Sequence, residues 1–307
     1  MNMNDNLITD IPQFENWSKI EPIGRGWTTD RKYYVETAGR KKLLIRLCDI
    51  SKYEQKKQEF EALTKIAGMG IPTSQPLEFG ICDSGKCCYT LLTWLEGEDA
   101  DSAVRRLPAE EDREIGRRAG ALLRKIHLFP APDGLRDKEE QMRAEFEARY
   151  PLYQACGIRS PHDEDYLRYI REHFGLLRGV KRCFLHGDFR VGNMIVDERG
   201  NLSVIDVNRW RYGDPYWDFK QMAIYSRESS TDFCQGQLEG YFQGQEPPEE
   251  FFQRMLFYTA WDMVFEMLSA VSVDEEAIRH QIRHAESVWR DFDELRSPVP
   301  IWWRSQK

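Results

Sequence analysis

Three polar side chains stand at the ends of short apolar runs in the second half of the chain. Asp188 follows Cys183-Phe184-Leu185, Asn193 precedes Met194-Ile195-Val196, and Asp206 follows Leu202-Ser203-Val204-Ile205. The last two runs read as a hairpin about the turn Asp197-Glu198-Arg199-Gly200-Asn201. A carboxylate, an amide and a second carboxylate can therefore converge on one side of that hairpin. Phosphoryl transfer needs this set: one carboxylate orients an attacking hydroxyl and takes its proton, while an amide oxygen and another carboxylate hold Mg²⁺ against the phosphates. His186, two residues before Asp188, reads either as a brace for the loop or as a proton carrier.

The elements that must position these groups differ between the two parts of the chain. Tyr33-Tyr34-Val35-Glu36 and Lys42 to Leu47 read as strands joined at Ala38-Gly39-Arg40. Ser51 to Gly68 predicts a helix, with Phe60, Leu63, Ile66 and Ala67 at helical spacing. Leu77 to Gly80 and Tyr89 to Leu95 predict two more strands about Asp83-Ser84-Gly85-Lys86. After Gly97 the pattern turns helical, with helices expected at about Ala109 to His127, Asp163 to Leu177, Pro248 to Ala270 and Asp274 to Leu295. The expected division is residues 1–95, a nucleotide-binding lobe, and 96–307, a catalytic and substrate-binding lobe.

Composition narrows the class. The chain has 307 residues, 41% of them hydrophobic, enough for a sizeable core. No run approaches the roughly 18–20 uninterrupted apolar residues of a membrane span, and Met1 to Asp10 lacks the features of a signal segment. A cytoplasmic protein without membrane attachment is expected. The seven cysteines include no CxxC pair and read as reduced thiols. A net charge of −8 argues against a nucleic-acid partner. Residues 1–95 hold 13 Lys/Arg and 12 Asp/Glu, the remainder 30 and 39, so the acidic excess lies in the helical part, where it suits a cationic ligand or simply keeps the protein soluble.

The stretch His186-Gly187-Asp188-Phe189-Arg190-Val191-Gly192-Asn193, followed by Val204-Ile205-Asp206, by Gly213-Asp214-Pro215 and by Asp218, resembles the aminoglycoside phosphotransferase family, kin of choline kinases. The resemblance covers most of residues 18–270. It implies an α+β, bilobal protein-kinase-like fold: an N-terminal antiparallel sheet plus one helix, then a larger, mostly helical C-terminal lobe. It also implies that Asp188 is the catalytic base and that Asn193 and Asp206 are Mg²⁺ ligands, with ATP or GTP as co-substrate. Arg190 reads as a contact to the transferred phosphate or as a solvated arginine.

On the nucleotide side, Gly24 and Gly26 in Ile23-Gly24-Arg25-Gly26-Trp27-Thr28-Thr29-Asp30 suit a phosphate-covering loop, with Thr29 standing where protein kinases carry a third glycine. By resemblance the phosphate-pairing cation is Arg46, where the family carries lysine, oriented by Glu59 or else Glu61. The main chain about Trp94 and Glu96 would grip the base, Trp94 being equally readable as core. Only Val207 to Gly213 separate Asp206 from Asp214, too short for a peptide-reading segment. A small hydroxylated acceptor, possibly cationic, is expected, with Trp210, Asp214, Asp262 and Glu266 as candidate contacts. Asp214 and Asp218 also read as anchors of the catalytic loop. An aminoglycoside or related antibiotic leads among acceptors; a macrolide, choline, a sugar, or a catalytically silent nucleotide-binding module are the alternatives, and monomer and homodimer are both open.

Overall fold

The computed structural model describes residues 5–24 and 30–304. They form two compact units of an α+β fold. One holds the chain up to Glu98 together with Met194–Trp210, and the other holds Asp99–Asn193 and the chain from Arg211 on. The break expected after Leu95 thus falls at Glu98, and the hairpin expected within the helical part belongs to the sheet unit. Hydrogen bonding is the reason: the Val204 amide donates to the Pro72 carbonyl at 2.8 Å. Gly97, at φ +131°, lets the backbone pass so near that a Cβ there would sit 2.3 Å from the Val196 carbonyl oxygen.

The sheet unit is built on five antiparallel strands, β1 (Trp17–Ile23), β2 (Arg31–Thr37), β3 (Lys42–Asp49), β4 (Pro76–Cys82) and β5 (Cys87–Thr93), in the order β1-β2-β3-β5-β4. Period-two alternation sends Leu43, Ile45 and Leu47 of β3, with Val35, Tyr89 and Leu91, into a core shared with Ile8 and Ile11. The alternate residues Leu44, Arg46 and Cys48 stand opposite Leu92, Thr90 and Cys88 of β5 on the other face. Helix α1 (Tyr53–Gly68) follows a 3-10 turn capped by Asp49, whose carboxylate accepts the Ser51 amide. Phe60 and Tyr53 of α1 pack on Phe79 of β4. Strand β1 escapes the sequence pattern because its partly buried residues, Trp17, Ile20 and Ile23, recur every third position and its register slips between Trp17 and Lys19.

In the helical unit, Ala109–His127 forms as expected, and three other helices run Asp163–His173, Glu249–Val273 and Glu275–Asp291. Lys138–Ala155 and Thr231–Tyr241 were not legible, since Pro151 lies inside the first, and Gly236 and Gly240 inside the second. Those glycines have a purpose. Gly116 and Gly120 of Ala109–His127 meet Gly236 and Gly240 of Thr231–Tyr241, and a Cβ on any of the four would lie 2.0–2.2 Å from a carbonyl oxygen of the facing helix. Arg113 and Arg117 both reach Glu239 beside the crossing. Helix Glu249–Val273 is long and apolar enough to span a bilayer by composition, yet most of it is buried inside the protein.

At the same crossing, Asp112 accepts a hydrogen bond from Ser230 Oγ, and its other oxygen is buried without a partner. Burial pushes this carboxyl up to about 6, with Asp232 adding to the rise and the Ser230 bond opposing it. The folded value lies above the ordinary 3.8, so its contribution to stability is full below about pH 4 and is lost as pH rises through about 6.

Two outcomes are expected. Gly236→Ala should lower the unfolding free energy in urea by about 3 kcal/mol or more. Gly68→Ala, where nothing lies within 4 Å, should change it by less than about 1 kcal/mol; equal stabilities would show that the crossing can open freely. Asp112→Asn should raise Tm by roughly 2–4 °C at pH 8 and leave it unchanged at pH 4, whereas a pH-independent shift would remove the titration argument.

Candidate active site

The loop His186–Asn193 belongs to the helical unit. Strand Cys183–Leu185 pairs antiparallel with Arg211–Gly213 and delivers His186, Gly187 and Asp188 at its end. A fully buried carboxylate, Asp218, then shapes the turn. It accepts the amides of His186 (2.9 Å) and Gly187 (2.8 Å) and the Nε2 proton of His127 (3.1 Å), with Gly187 at φ +85°. Burial alone would raise the Asp218 pKa. The His127 hydrogen bond, the favourable electrostatics of the neighbouring His127 and His186 imidazoles and the Gly187 amide outweigh it, holding the carboxyl below its ordinary range.

His186 is fully buried, and its Nδ1 accepts the Asp188 amide at 3.3 Å. That is the bracing arrangement. Asn193 donates Nδ2 to the Asp188 carbonyl (2.8 Å), so its amide oxygen is the atom left for a cation. The Val191 amide bonds Ser226 Oγ (3.0 Å). Ser226 lies on a π-helical turn, Met222–Ser226, whose wider winding is frequent at functional sites. Arg190 places Nε 3.4 Å from Asp188 Oδ1, and its guanidinium lies over the Tyr225 ring at 5.2 Å. It is not a freely solvated arginine.

Two of the candidate acceptor contacts are already engaged. Asp214 has no exposed surface and binds Arg254 through both oxygens (3.1 Å each), the Tyr258 hydroxyl (2.9 Å) and the Tyr216 amide (3.0 Å). Asp262 holds Lys220 at 2.6 and 2.7 Å. Each must be paired because a buried charge alone is too costly. Glu266, one turn beyond Asp262, is half-buried and, among the described residues, makes no hydrogen bond or ion pair. Trp210 lies in the sheet unit, half-buried, its amide on the Val207 carbonyl.

Within the sheet unit, a cavity of about 150 Å³ opens on the β3–β5 face that carries Arg46. Leu44, Leu63, Leu92 and Ile205 line it with apolar surface; Arg46, Glu59 and Asp206 are in its wall. Arg46 faces Asp30 (3.2 Å) and Asp206 (3.5 Å). The expected pairing with Glu59 is replaced: Glu59 binds Lys56 at 2.9 Å, because Lys56 is three residues away on the same helix. Trp94 and Glu96 are not in this wall. The Trp94 amide, expected to meet a base, donates to the Lys42 carbonyl (3.0 Å), its ring meets Tyr34 edge-on, and Glu96 pairs with Lys42. Gly24 follows β1, and among the described residues nothing would lie within 4 Å of a Cβ there; Gly26 lies outside the described residues.

Sequence reasoning gave no role to several polar wall residues, among them Lys32, Lys56 and Asn208, and read Asp30 only as the end of the phosphate-covering loop. Lys56 had a signal, since it stands in helical register with Phe60, Leu63 and Ala67 on the stripe read as apolar. Burial and the neighbouring Arg46 lower the Lys32 pKa, against the pull of Asp206 and Asp30. Burial would lower that of Lys56 too, but the Asp30 and Glu59 bonds prevail and raise it. Asp206 is held at φ +64°, a strained value for a non-glycine residue. Its Oδ1 and the Oδ1 of Asn208 are buried without a hydrogen bond. Unsatisfied carboxylate and amide oxygens are the donors that Mg²⁺ takes, usually one or two from protein with the rest from phosphates and water, so this wall fits such an ion.

The chain belongs to the phosphotransferase enzyme family known as APH, whose family model matches residues 19–252. Among solved structures it is similar to a thermostable mutant of aminoglycoside phosphotransferase APH(4)-Ia in ternary complex with ADP and hygromycin B, at 16% identity and TM-score 0.67, covering 91% of this chain and 95% of that one. It is also similar to the GDP complex of a mutant aminoglycoside 2'-phosphotransferase-IIIa (18%, TM-score 0.67, 95% and 98% covered). A third is a choline/ethanolamine kinase family protein from Mesorhizobium loti (15%, TM-score 0.63, 94% of each). At these identities the structures establish a shared kinase-like fold. No curated protein matches the sequence significantly.

Arg254→Met should destabilise the protein by about 3–5 kcal/mol, because it strands the buried Asp214 charge, whereas Glu266→Gln should stay within about 0.5 kcal/mol of the parent. Urea unfolding of both variants checks this. A large loss in Glu266→Gln would mean that its carboxylate is structural.

Proposed function

We propose that this chain transfers the γ-phosphoryl group of ATP or GTP to a hydroxyl of a small molecule. The observation that carries the reading is the loop His186–Asn193, pinned by Asp218 so that Asp188 is presented at a braced turn. Asp188 orients the acceptor hydroxyl and takes its proton as the new oxygen–phosphorus bond forms and the bond to the β-phosphate oxygen breaks, releasing the nucleoside diphosphate. Arg190, beside Asp188, faces the phosphoryl group in transit and keeps the aspartate oriented. By the family resemblance, Asn193 and Asp206 are the residues that would hold Mg²⁺, which when bound would supply positive charge to the phosphates. Arg46 supplies charge to the phosphates, and the apolar end of the cavity accepts the base.

For the acceptor, the unpaired carboxylate of Glu266 favours a cationic compound, and an aminoglycoside or related antibiotic fits that demand. Choline is also cationic, while a sugar or a macrolide makes less use of the carboxylate. Family membership by itself does not choose among them. A reaction fed by nucleoside triphosphate suits the cytoplasm. A catalytically silent module is disfavoured, because the braced Asp188 and the strained Asp206 serve no evident structural purpose.

Asp188→Asn should reduce kcat by about 10²–10⁴-fold while calorimetric binding of the nucleotide with Mg²⁺ stays within about twofold. Parent protein that phosphorylates nothing in a panel of aminoglycosides, macrolides, aminoalcohols and sugars would defeat the reading.

A further inference from the structure

The polar end of the sheet-unit cavity is a chain of alternating charge running Glu59, Lys56, Asp30, Arg46, Asp206. Lys56 Nζ lies 2.9 Å from Glu59 Oε2 and 2.9 Å from Asp30 Oδ2. The same Asp30 oxygen lies 3.2 Å from Arg46 Nη2, and Arg46 Nη1 lies 3.5 Å from Asp206 Oδ1. Asp30 is the shared link. Its side chain is 2% exposed and that of Lys56 10% exposed, so neither belongs to a solvated surface pair. The direct strand-to-helix pairing expected between Arg46 and Glu59 is thus replaced by a relay through two buried side chains.

Arginine suits this relay as lysine would not. Its planar guanidinium offers donors on separate edges, and here one nitrogen serves Asp30 while the other faces Asp206. Of the two carboxylates, Asp206 is the more distant and the one whose Oδ1 has no hydrogen bond. A carboxylate that turns to a cation gives up its hold on Arg46. Asp30 cannot do the same, because Lys56, itself fastened to Glu59 on α1, keeps it in place.

We propose that Asp30, held by Lys56, is the positioning residue for Arg46, fixing one edge of the guanidinium so that the other meets the phosphates. This rests on the nucleotide-dependent reading above. Asp30 acts through Arg46 and touches neither the transferred group nor the acceptor. Through it, the placement of α1 governs the aim of the β3 cation.

A double-mutant cycle on the full chain tests it, with binding of AMP-PNP in the presence of Mg²⁺ read by calorimetry and the acceptor KM read from steady-state rates. Asp30→Asn should weaken AMP-PNP binding about tenfold in the parent and less than about twofold in an Arg46→Ala background, with acceptor KM unchanged. Lys56→Gln should repeat that pattern, and it stands in for Asp30→Asn should the latter fail to fold. Asp30→Glu should recover part of the loss. Equal losses in both backgrounds would reduce Asp30 to a structural residue and overturn the proposal, as would unchanged affinity in Asp30→Asn. Parent protein that binds no AMP-PNP would overturn the proposal together with the function on which it rests, and so is told apart from failure of the relay alone.

Discussion

The hydrogen bonds between one buried carboxylate and two main-chain amides govern the loop His186–Asn193. Asp218, without solvent contact, takes the amides of His186 and Gly187 and the imidazole of His127. A buried carboxylate must be met on its lone pairs or it destabilises the fold by several kcal/mol, so the loop has little freedom to unwind. From that tie follow the left-handed Gly187, the His186 ring beneath the Asp188 amide, and the Asn193 side chain against the Asp188 carbonyl. The proposed phosphoryl transfer would depend mainly on positioning and charge, and a pinned loop would supply the positioning.

Burial also decides which acidic residues are available to a ligand. Asp214, Asp218 and Asp262 are spent on Arg254, on loop amides with His127, and on Lys220. Each is buried, and each is neutralised or saturated from within. Glu266 differs because its half-burial leaves solvent to share the charge. The sheet-unit cavity follows a related rule on a smaller scale: Lys56, Arg46, Asp30, Glu59 and Asp206 are linked by ion pairs, while Oδ1 of Asp206 and of Asn208 has no hydrogen bond.

Much of the fold was legible from periodicity. The β2–β3 hairpin, α1, the β4–β5 pair, helix Ala109–His127 and the hairpin after Asn193 were each anticipated, because each carries a complete local pattern. Strand β1 did not, since a bulge breaks its alternation. Helix Thr231–Tyr241 was hidden by glycines, which lower helix propensity yet are required where two backbones touch. The hairpin Met194–Trp210 was placed with the wrong unit, because a hydrogen bond from Val204 to Pro72 leaves no trace in either segment.

The sequence by itself determined the family and the order of the loop's polar residues. His186, Asp188, Asn193 and Asp206 lie within 21 residues of one another, where strand ends and a hairpin constrain geometry over short chain distances. Tertiary structure alone decided the ionic partners. Whether Arg46 meets Glu59 or Asp30, and whether Asp262 is free or held by Lys220, depends on through-space distances of a few ångströms and on how much water each group keeps. Those quantities are set by packing among segments far apart in the chain, and no local pattern encodes them.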